Sequence, residues 1–244
     1  MSDQNFIEKK SNQITQILLE VQERTISELY ALKGDLQAEE FIRLIENLDI
    51  KEIVRAKSAN AVDLFIASHS GILESIEGFA ELTEEVLQSL INYNAESLLN
   101  QVDNIGINIK REVMKGAIVG IGKEGVLNEL RGLSGMSESQ LKTLIDTGMN
   151  EYSRSVTKLM IDEMPDDTLY VYIGPTDEKT RKECLRMVAA GEQTEKQIDG
   201  FSSEFGLNVL VSGGGYNCRH KWEIAVQDKF GHDPEGAKKR LKDD

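Results

Sequence analysis

Residues 1–164 contain no proline, and the chain's three prolines, Pro165, Pro175 and Pro234, all follow that stretch. Proline removes a backbone donor and clashes with the preceding helical turn, so a long stretch without it is free to be helix. The apolar residues there recur at helical spacing. Ile14, Leu18, Val21 and Leu29 share one helical face, and Gly34–Asp35 reads as a break. Apolar positions resume at Phe41, Leu44 and Ile45, then at Ile53 and Val54, then at Val62, Leu64 and Phe65. Thr83 stands where it can cap a helix carrying Val86, Leu87, Leu90 and Ile91. That helix is expected to run towards Val119, with a break near Gly106. Ser137–Glu138–Ser139–Gln140 matches a capping box, and the helix it opens carries Leu141, Leu144, Ile145, Met149, Tyr152 and Val156 and can reach Met164. Such a stripe is expected to be core or a partner interface rather than a cofactor site.

Two features of this region invite functional readings and are better read plainly. Gly116, Gly120, Gly122 and Gly125 do not form a phosphate loop, because no strand precedes them and Lys123 is not followed by Ser or Thr. They are expected to be a flexible connection between helices. His69 lies between Ser68 and Ser70 with no Cys or second His nearby, and reads as a turn or surface histidine.

The grammar changes near Met164–Asp167. Thr168–Ile173 is β-branched and aromatic, which predicts a strand ended by Gly174–Pro175. Thr176 is expected to cap a helix with Asp177 and Glu178 in its first turn and Leu185, Met187 and Val188 on its apolar side, stopping at Gly191. A short helix is predicted near Thr194–Ile198 and a strand over Leu207–Val211. Gly213–Gly215 reads as a tight turn, and His220–Val226 as a last strand that could pair with Tyr170–Ile173. The fold class is therefore α+β. A helical region over 1–164 precedes a small α+β domain over 165–232 and a charged tail over 233–244.

The formal net charge of −14 weighs against general binding to phosphate backbones, which requires Lys and Arg to neutralise phosphates. Lys238, Lys239, Arg240 and Lys242 form a local exception and are expected to be a solvated tail, leaving direct nucleic-acid contact open. Met1–Lys10 is polar and lacks the apolar core of a secretory signal, and no run approaches the ~20 apolar residues of a membrane span. The expectation is a protein made in a cytoplasm, with no membrane contact.

Cys184 and Cys218 are the only cysteines, too few for a disulfide scaffold. Cys218–Arg219–His220 sets two soft-metal ligands two residues apart, which an extended chain turns to one face. Cys184 lies in a helix that could pack against them. Zinc takes four ligands in a tetrahedron, and Asp177 or His232 could supply the fourth. The plain alternative is that both cysteines are small buried hydrophobes. A cysteine nucleophile would need a base and an orienting group that spacing does not reveal.

Two longer patterns now stand out. Asp177–Glu178–Lys179–Thr180–Arg181–Lys182–Glu183–Cys184 resembles the D-x-x-T-C-x-x-C motif of the phage Mu F-like minor head proteins, the phage head-morphogenesis family. Gly214–Gly215–Tyr216–Asn217–Cys218–Arg219–His220–Lys221–Trp222 is similar to that family's second motif, and Leu144–Met149 resembles its preceding Thr-bearing helix. The match covers the region from Leu144 onwards; the earlier part fits only in being helical. Arg181 stands where many members have their first Cys, and His220 where others have the last. A four-ligand site is incomplete by that pattern. What remains is a three-residue site completed by Asp177 or water, a metal-free remnant, or a Cys184–Cys218 bridge in a virion exposed to oxidising surroundings.

The resemblance implies a minor structural protein of a tailed-phage virion head, present in the host cytoplasm during assembly. It would associate with the portal protein, the major capsid protein and copies of itself during head assembly and DNA packaging or ejection. It implies binding rather than catalysis and no resident cofactor, with zinc at Cys184, Cys218, His220 and Asp177 as the alternative. The rivals are a small metal-dependent or cysteine hydrolase or nuclease-like domain behind helices, and a helical adaptor with a zinc module. The only histidines, His69, His220 and His232, form no H-E-x-x-H motif.

Overall fold

The computed structural model describes residues 3–74, 84–132, 138–225 and 233–243. The helical region contains α1 (Asp3–Lys33), α2 (Ala38–Asn47), α3 (Ile50–Lys57), α4 (Ala59–Glu74), α5 (Glu84–Val119), α6 (Lys123–Gly132) and α7 (Glu138–Asp162). After it come β1 (Tyr170–Ile173), α8 (Lys182–Ala189), α9 (Glu195–Phe205), α10 (Val209–Ser212), β2 (Lys221–Ile224) and α11 (Pro234–Asp243). The α+β class is as the sequence predicts. Thr83, Ser137, Val226 and His232 lie outside the described residues.

The chain forms two compact units. The first comprises residues up to Ser70 together with Asn92–Asp146; the second comprises Gly71–Ile91 and Thr147–Asp244. The change of composition near Met164–Asp167 marks the end of α7.

In the first unit, α1 packs against α3 and α6. Ile14, Leu18, Val21 and Leu29 are buried, as their spacing predicts. Gly34 takes φ +44° in the turn after α1. Asp49 caps α3 by accepting the Glu52 N–H at 3.0 Å.

Three sequence expectations are corrected here. Gly106 does not break α5; it lies within it. A Cβ at Gly106 would stand 2.8 Å from the Lys51 Cα, so the missing side chain is what lets α3 approach. Around that crossing Asp103 pairs with Lys51 at 3.2 Å and with Arg55 Nη2 at 2.7 Å. Lys110 donates to the Glu46 and Leu48 carbonyls at 2.9 and 3.2 Å, satisfying the C-terminal end of α2.

Of the four glycines expected to form a flexible connection, two do join α5 to α6 and two are helical. Only Gly120 and Gly122 lie in the turn between α5 and α6, whereas Gly116 and Gly125 lie inside those helices. A Cβ at Gly116 would meet Val126 at 2.5 Å and the Tyr30 hydroxyl at 2.9 Å, so this glycine is needed for packing. His69 is fully buried inside α4, not in a turn. Its Nδ1 lies 2.7 Å from the Phe65 carbonyl and its ring meets the Phe65 ring edge-on. Burial holds its pKa below the usual histidine value.

In the second unit β1 and β2 pair antiparallel, with Tyr172 opposite Trp222 and Ile173 opposite Lys221. Tyr172, Leu185, Met187, Val188, Ile198 and Trp222 form the centre of its core. Residues 234–243, expected as a solvated tail, instead form α11, which packs on α8 and buries Ala237 completely. Leu207–Val211, predicted as a strand, overlaps the short helix α10. The Asn208 side chain accepts the Leu210 N–H, and its carbonyl accepts the Ser212 N–H at 2.7 Å, which winds the segment.

The α3–α5 crossing supplies a direct test. Gly106→Val is expected to destabilise the protein by about 2 kcal/mol, because the backbones must separate. Urea denaturation followed by circular dichroism should show a lower midpoint, and an unchanged midpoint would refute the close approach.

Candidate metal and structural site

The second unit brings the two sequence patterns together. Residues 175–180 do not start the helix predicted there. Asp177 instead closes a turn, its Oδ1 accepting the Lys179 N–H at 3.1 Å and the Thr180 hydroxyl at 3.2 Å. Thr180 also donates to the Pro175 carbonyl at 2.7 Å. The chain becomes helical only at Lys182, after the cap residue Arg181. This start carries Cys184 into the core, where it is 2% exposed.

The second pattern forms a loop entering β2. Gly213, Gly215 and Asn217 take φ of +57°, +98° and +55°. Glycine adopts such angles freely and asparagine tolerates them. The Asn217 N–H donates to the Thr147 hydroxyl on α7 at 3.2 Å. The loop has no room for side chains against the sulfurs. A Cβ at Gly214 would lie 2.2 Å from Cys184 Sγ, and one at Gly213 would lie 2.9 Å from Cys218 Sγ.

Cys184 Sγ lies 3.6 Å from Cys218 Sγ, and Cys218 Sγ lies 3.9 Å from His220 Nδ1. One ligand atom from each of the three residues lies within 4.8 Å of the others, and all three residues are buried. Cys218 Sγ accepts the Gly214 and His220 N–H groups at 3.2 and 3.4 Å and sits 3.4 Å from the Tyr172 hydroxyl. The Tyr172 ring stacks on His220 at 5.3 Å and 12°, and meets Trp222 at 4.9 Å. The hydrogen bond from Cys184 lowers the Cys218 pKa, with His220 and Tyr172 adding to it against burial. The same bond and burial raise the Cys184 pKa. Proton sharing makes Cys218 the thiolate-prone partner.

The remaining motif residues hold this cluster from outside. Arg219 grips Asp177 through both carboxylate oxygens at 2.6 and 2.7 Å. The guanidinium holds the Asp177 carboxyl well below the usual range, with burial opposing and the Lys179 N–H and Thr180 hydroxyl assisting. Asp177, considered above as a fourth ligand, is therefore committed to an ion pair outside the three-residue set. Arg181 donates to the Gly214 and Tyr216 carbonyls at 3.1 and 2.5 Å. Tyr216 itself is exposed, and Trp222 is 1% exposed in the core.

Sequence reasoning missed Arg154. It is 2% exposed, and its guanidinium donates to the carbonyls of Val211, Cys218 and His220 at 2.5, 3.0 and 3.4 Å. Its place one helical turn or less from Tyr152 and Val156, both buried, was the only signal available.

No family model, curated protein or solved structure matches this chain. The site must therefore be interpreted from its own chemistry.

Two substitutions probe this scaffold. Arg154→Leu leaves two buried carbonyls and one partly buried one without their donor and is expected to cost about 3 kcal/mol in urea denaturation, with Arg154→Lys intermediate. A midpoint for Arg154→Leu equal to that of the parent would refute the role. The Asp177–Arg219 pair gives a pH signature. The folded pKa of Asp177 lies below its unfolded value of about 4, so the pair stabilises fully above that pH and is lost as pH falls through the folded value. Both side chains are partly exposed, at 46% and 33%, and the pair is worth about 1 kcal/mol or less. The gap in Tm between the parent and Asp177→Asn should be present at pH 7 and shrink steadily below about pH 4.

Proposed function

We propose that this chain is a minor structural protein of a tailed-phage head that binds the portal and capsid during head assembly and DNA packaging or ejection. The observation that supports this reading is the convergence of the two motif segments. Asp177 and Cys184 from the first meet Gly214, Cys218, Arg219 and His220 from the second within one compact module.

Burial favours a structural role over a catalytic one. Cys184, Cys218 and His220 are 2%, 3% and 3% exposed, so a substrate has no open approach to the groups that would act on it. The charge of −14 suits a protein that works beside packaged DNA without adhering to it. No described helix is long and apolar enough to cross a membrane.

The test is to find whether a portal gene neighbours the gene for this chain and to co-express the two proteins. Co-elution of the two in size-exclusion chromatography, and detection of the chain in purified virions by immunoblot, are the expected results. Virions that lack the chain would overturn the proposal. Measurable affinity for duplex DNA at physiological salt would overturn the charge argument.

A further inference from the structure

We propose that Cys184, Cys218 and His220 bind one zinc ion that staples α8 to the segment entering β2. Zinc–sulfur bonds of about 2.3 Å and zinc–nitrogen bonds of about 2.0 Å in a tetrahedron put two sulfurs about 3.8 Å apart, and a sulfur and a nitrogen about 3.6 Å apart. The 3.6 Å between Cys184 Sγ and Cys218 Sγ and the 3.9 Å between Cys218 Sγ and His220 Nδ1 each lie within a few tenths of an ångström of those values. All three ligand atoms fall within 4.8 Å of one another.

A second, independent observation points to a ligand. The His220 imidazole is 3% exposed, and its Nε2 has no hydrogen-bond partner among the described residues. Its Nδ1 meets only the Cys218 sulfur, at 3.9 Å. A buried imidazole with neither nitrogen well satisfied is costly unless something further binds it. A metal at Nδ1, beside the Cys218 sulfur, supplies that nitrogen with a strong partner in place of a 3.9 Å contact.

The surroundings favour a soft dication. Cys218 Sγ already accepts two backbone N–H groups, an arrangement that stabilises thiolate. Two thiols and one zinc ion give a neutral dithiolate–zinc unit with release of two protons, His220 binding as the neutral imidazole. No oxidant or reductant is required. Thiolate and imidazole together select zinc over magnesium or calcium, which prefer oxygen. Asp177 is held by Arg219, and Arg181 is a cation bound to carbonyls. Among the described residues neither is free to be a fourth ligand, and water takes that position in the simplest case.

The experiment uses the full chain, purified reduced and without a metal-binding tag from zinc-supplemented cells. Mass spectrometry of the metal content should give about one zinc per chain. The chelator-stripped, reduced protein titrated with Co²⁺ should show thiolate-to-cobalt charge transfer and the intense visible bands of tetrahedral cobalt, saturating at one equivalent. A pH indicator should report proton release on binding, at least the proton that Cys184 carries. The double variant Cys184→Ser/Cys218→Ser should lose the cobalt bands, whereas Asp177→Asn should keep them. If the serine variant fails to fold, the cobalt spectrum of the parent still decides, since its charge-transfer intensity counts the thiolates. A folded, reduced parent that takes up neither zinc nor cobalt overturns the proposal. So does a Cys184–Cys218 disulfide in protein purified under reducing conditions, or an unchanged cobalt spectrum in a folded double variant.

Discussion

Arg154 is a fixed cation inside the second unit, and its hydrogen bonds run to three backbone carbonyls rather than to a carboxylate. A buried charge is tolerated only when hydrogen bonds replace its lost hydration. The carbonyls of Val211, Cys218 and His220 must therefore converge on one point, which residues 211–220 can do only by turning back on themselves. Gly213, Gly215 and Asn217 supply those turns at positive φ. While the carbonyls serve Arg154, the amides of Gly214 and His220 serve the Cys218 sulfur. One loop thus satisfies a cation with its acceptors and a sulfur with its donors, and the rest of the module is built around that division.

Periodicity made the long elements legible, and local side-chain chemistry hid the short ones. The burial of Ile14, Leu18, Val21 and Leu29 followed from spacing alone, and so did the pairing of β1 with β2 from its β-branched and aromatic residues. Leu207–Val211 is too short for spacing to separate strand from helix, and the Asn208 side chain decided the matter locally. Asp177 looked like a first-turn helix residue, but its carboxylate prefers the Lys179 amide and Thr180 hydroxyl, which delays the helix to Lys182. His69 carried a usable signal. Ala61, Phe65, Ser68, His69 and Ile72 keep one face of α4 buried, yet its polar members disguise the stripe. The Ser68 hydroxyl and His69 Nδ1 meet the carbonyls of Leu64 and Phe65, which is how polar groups survive there. At the site, the ligand trio was readable from residue type. The role of Arg154 was not, because its partners are backbone atoms brought together only by folding.

The cations of the second unit explain why an acidic protein carries arginines around its motif. Arg181 holds the Gly214 and Tyr216 carbonyls, Arg219 holds Asp177, and Arg240 donates to the Thr176 carbonyl at 2.8 Å and to that of Asp177. Each guanidinium matches several acceptors at once, which an ammonium group cannot do from a single plane. Each of these charges is engaged by acceptors of the same unit. Arg240 belongs to the cluster that composition alone suggested was a solvated tail. Its bonds, with the burial of Ala237, anchor α11 to the turn that starts the first motif.

A two-stranded sheet of four residues per strand is marginal by itself, and here its strands are joined by a long excursion through α8, α9 and α10. Closing such a loop carries an entropy cost that short-range contacts do not offset. The interactions that offset it all cross the same excursion: Tyr172 against Trp222 and His220, Asp177 with Arg219, Arg181 with Gly214, and Cys184 beside Cys218. Most of them tie the segment leaving β1 to the segment entering β2. A cross-link at Cys184 and Cys218 would close a loop between residues 34 apart and so restrain the unfolded chain. That placement also explains why the motif is split in sequence. Its two halves are the two banks of one closure.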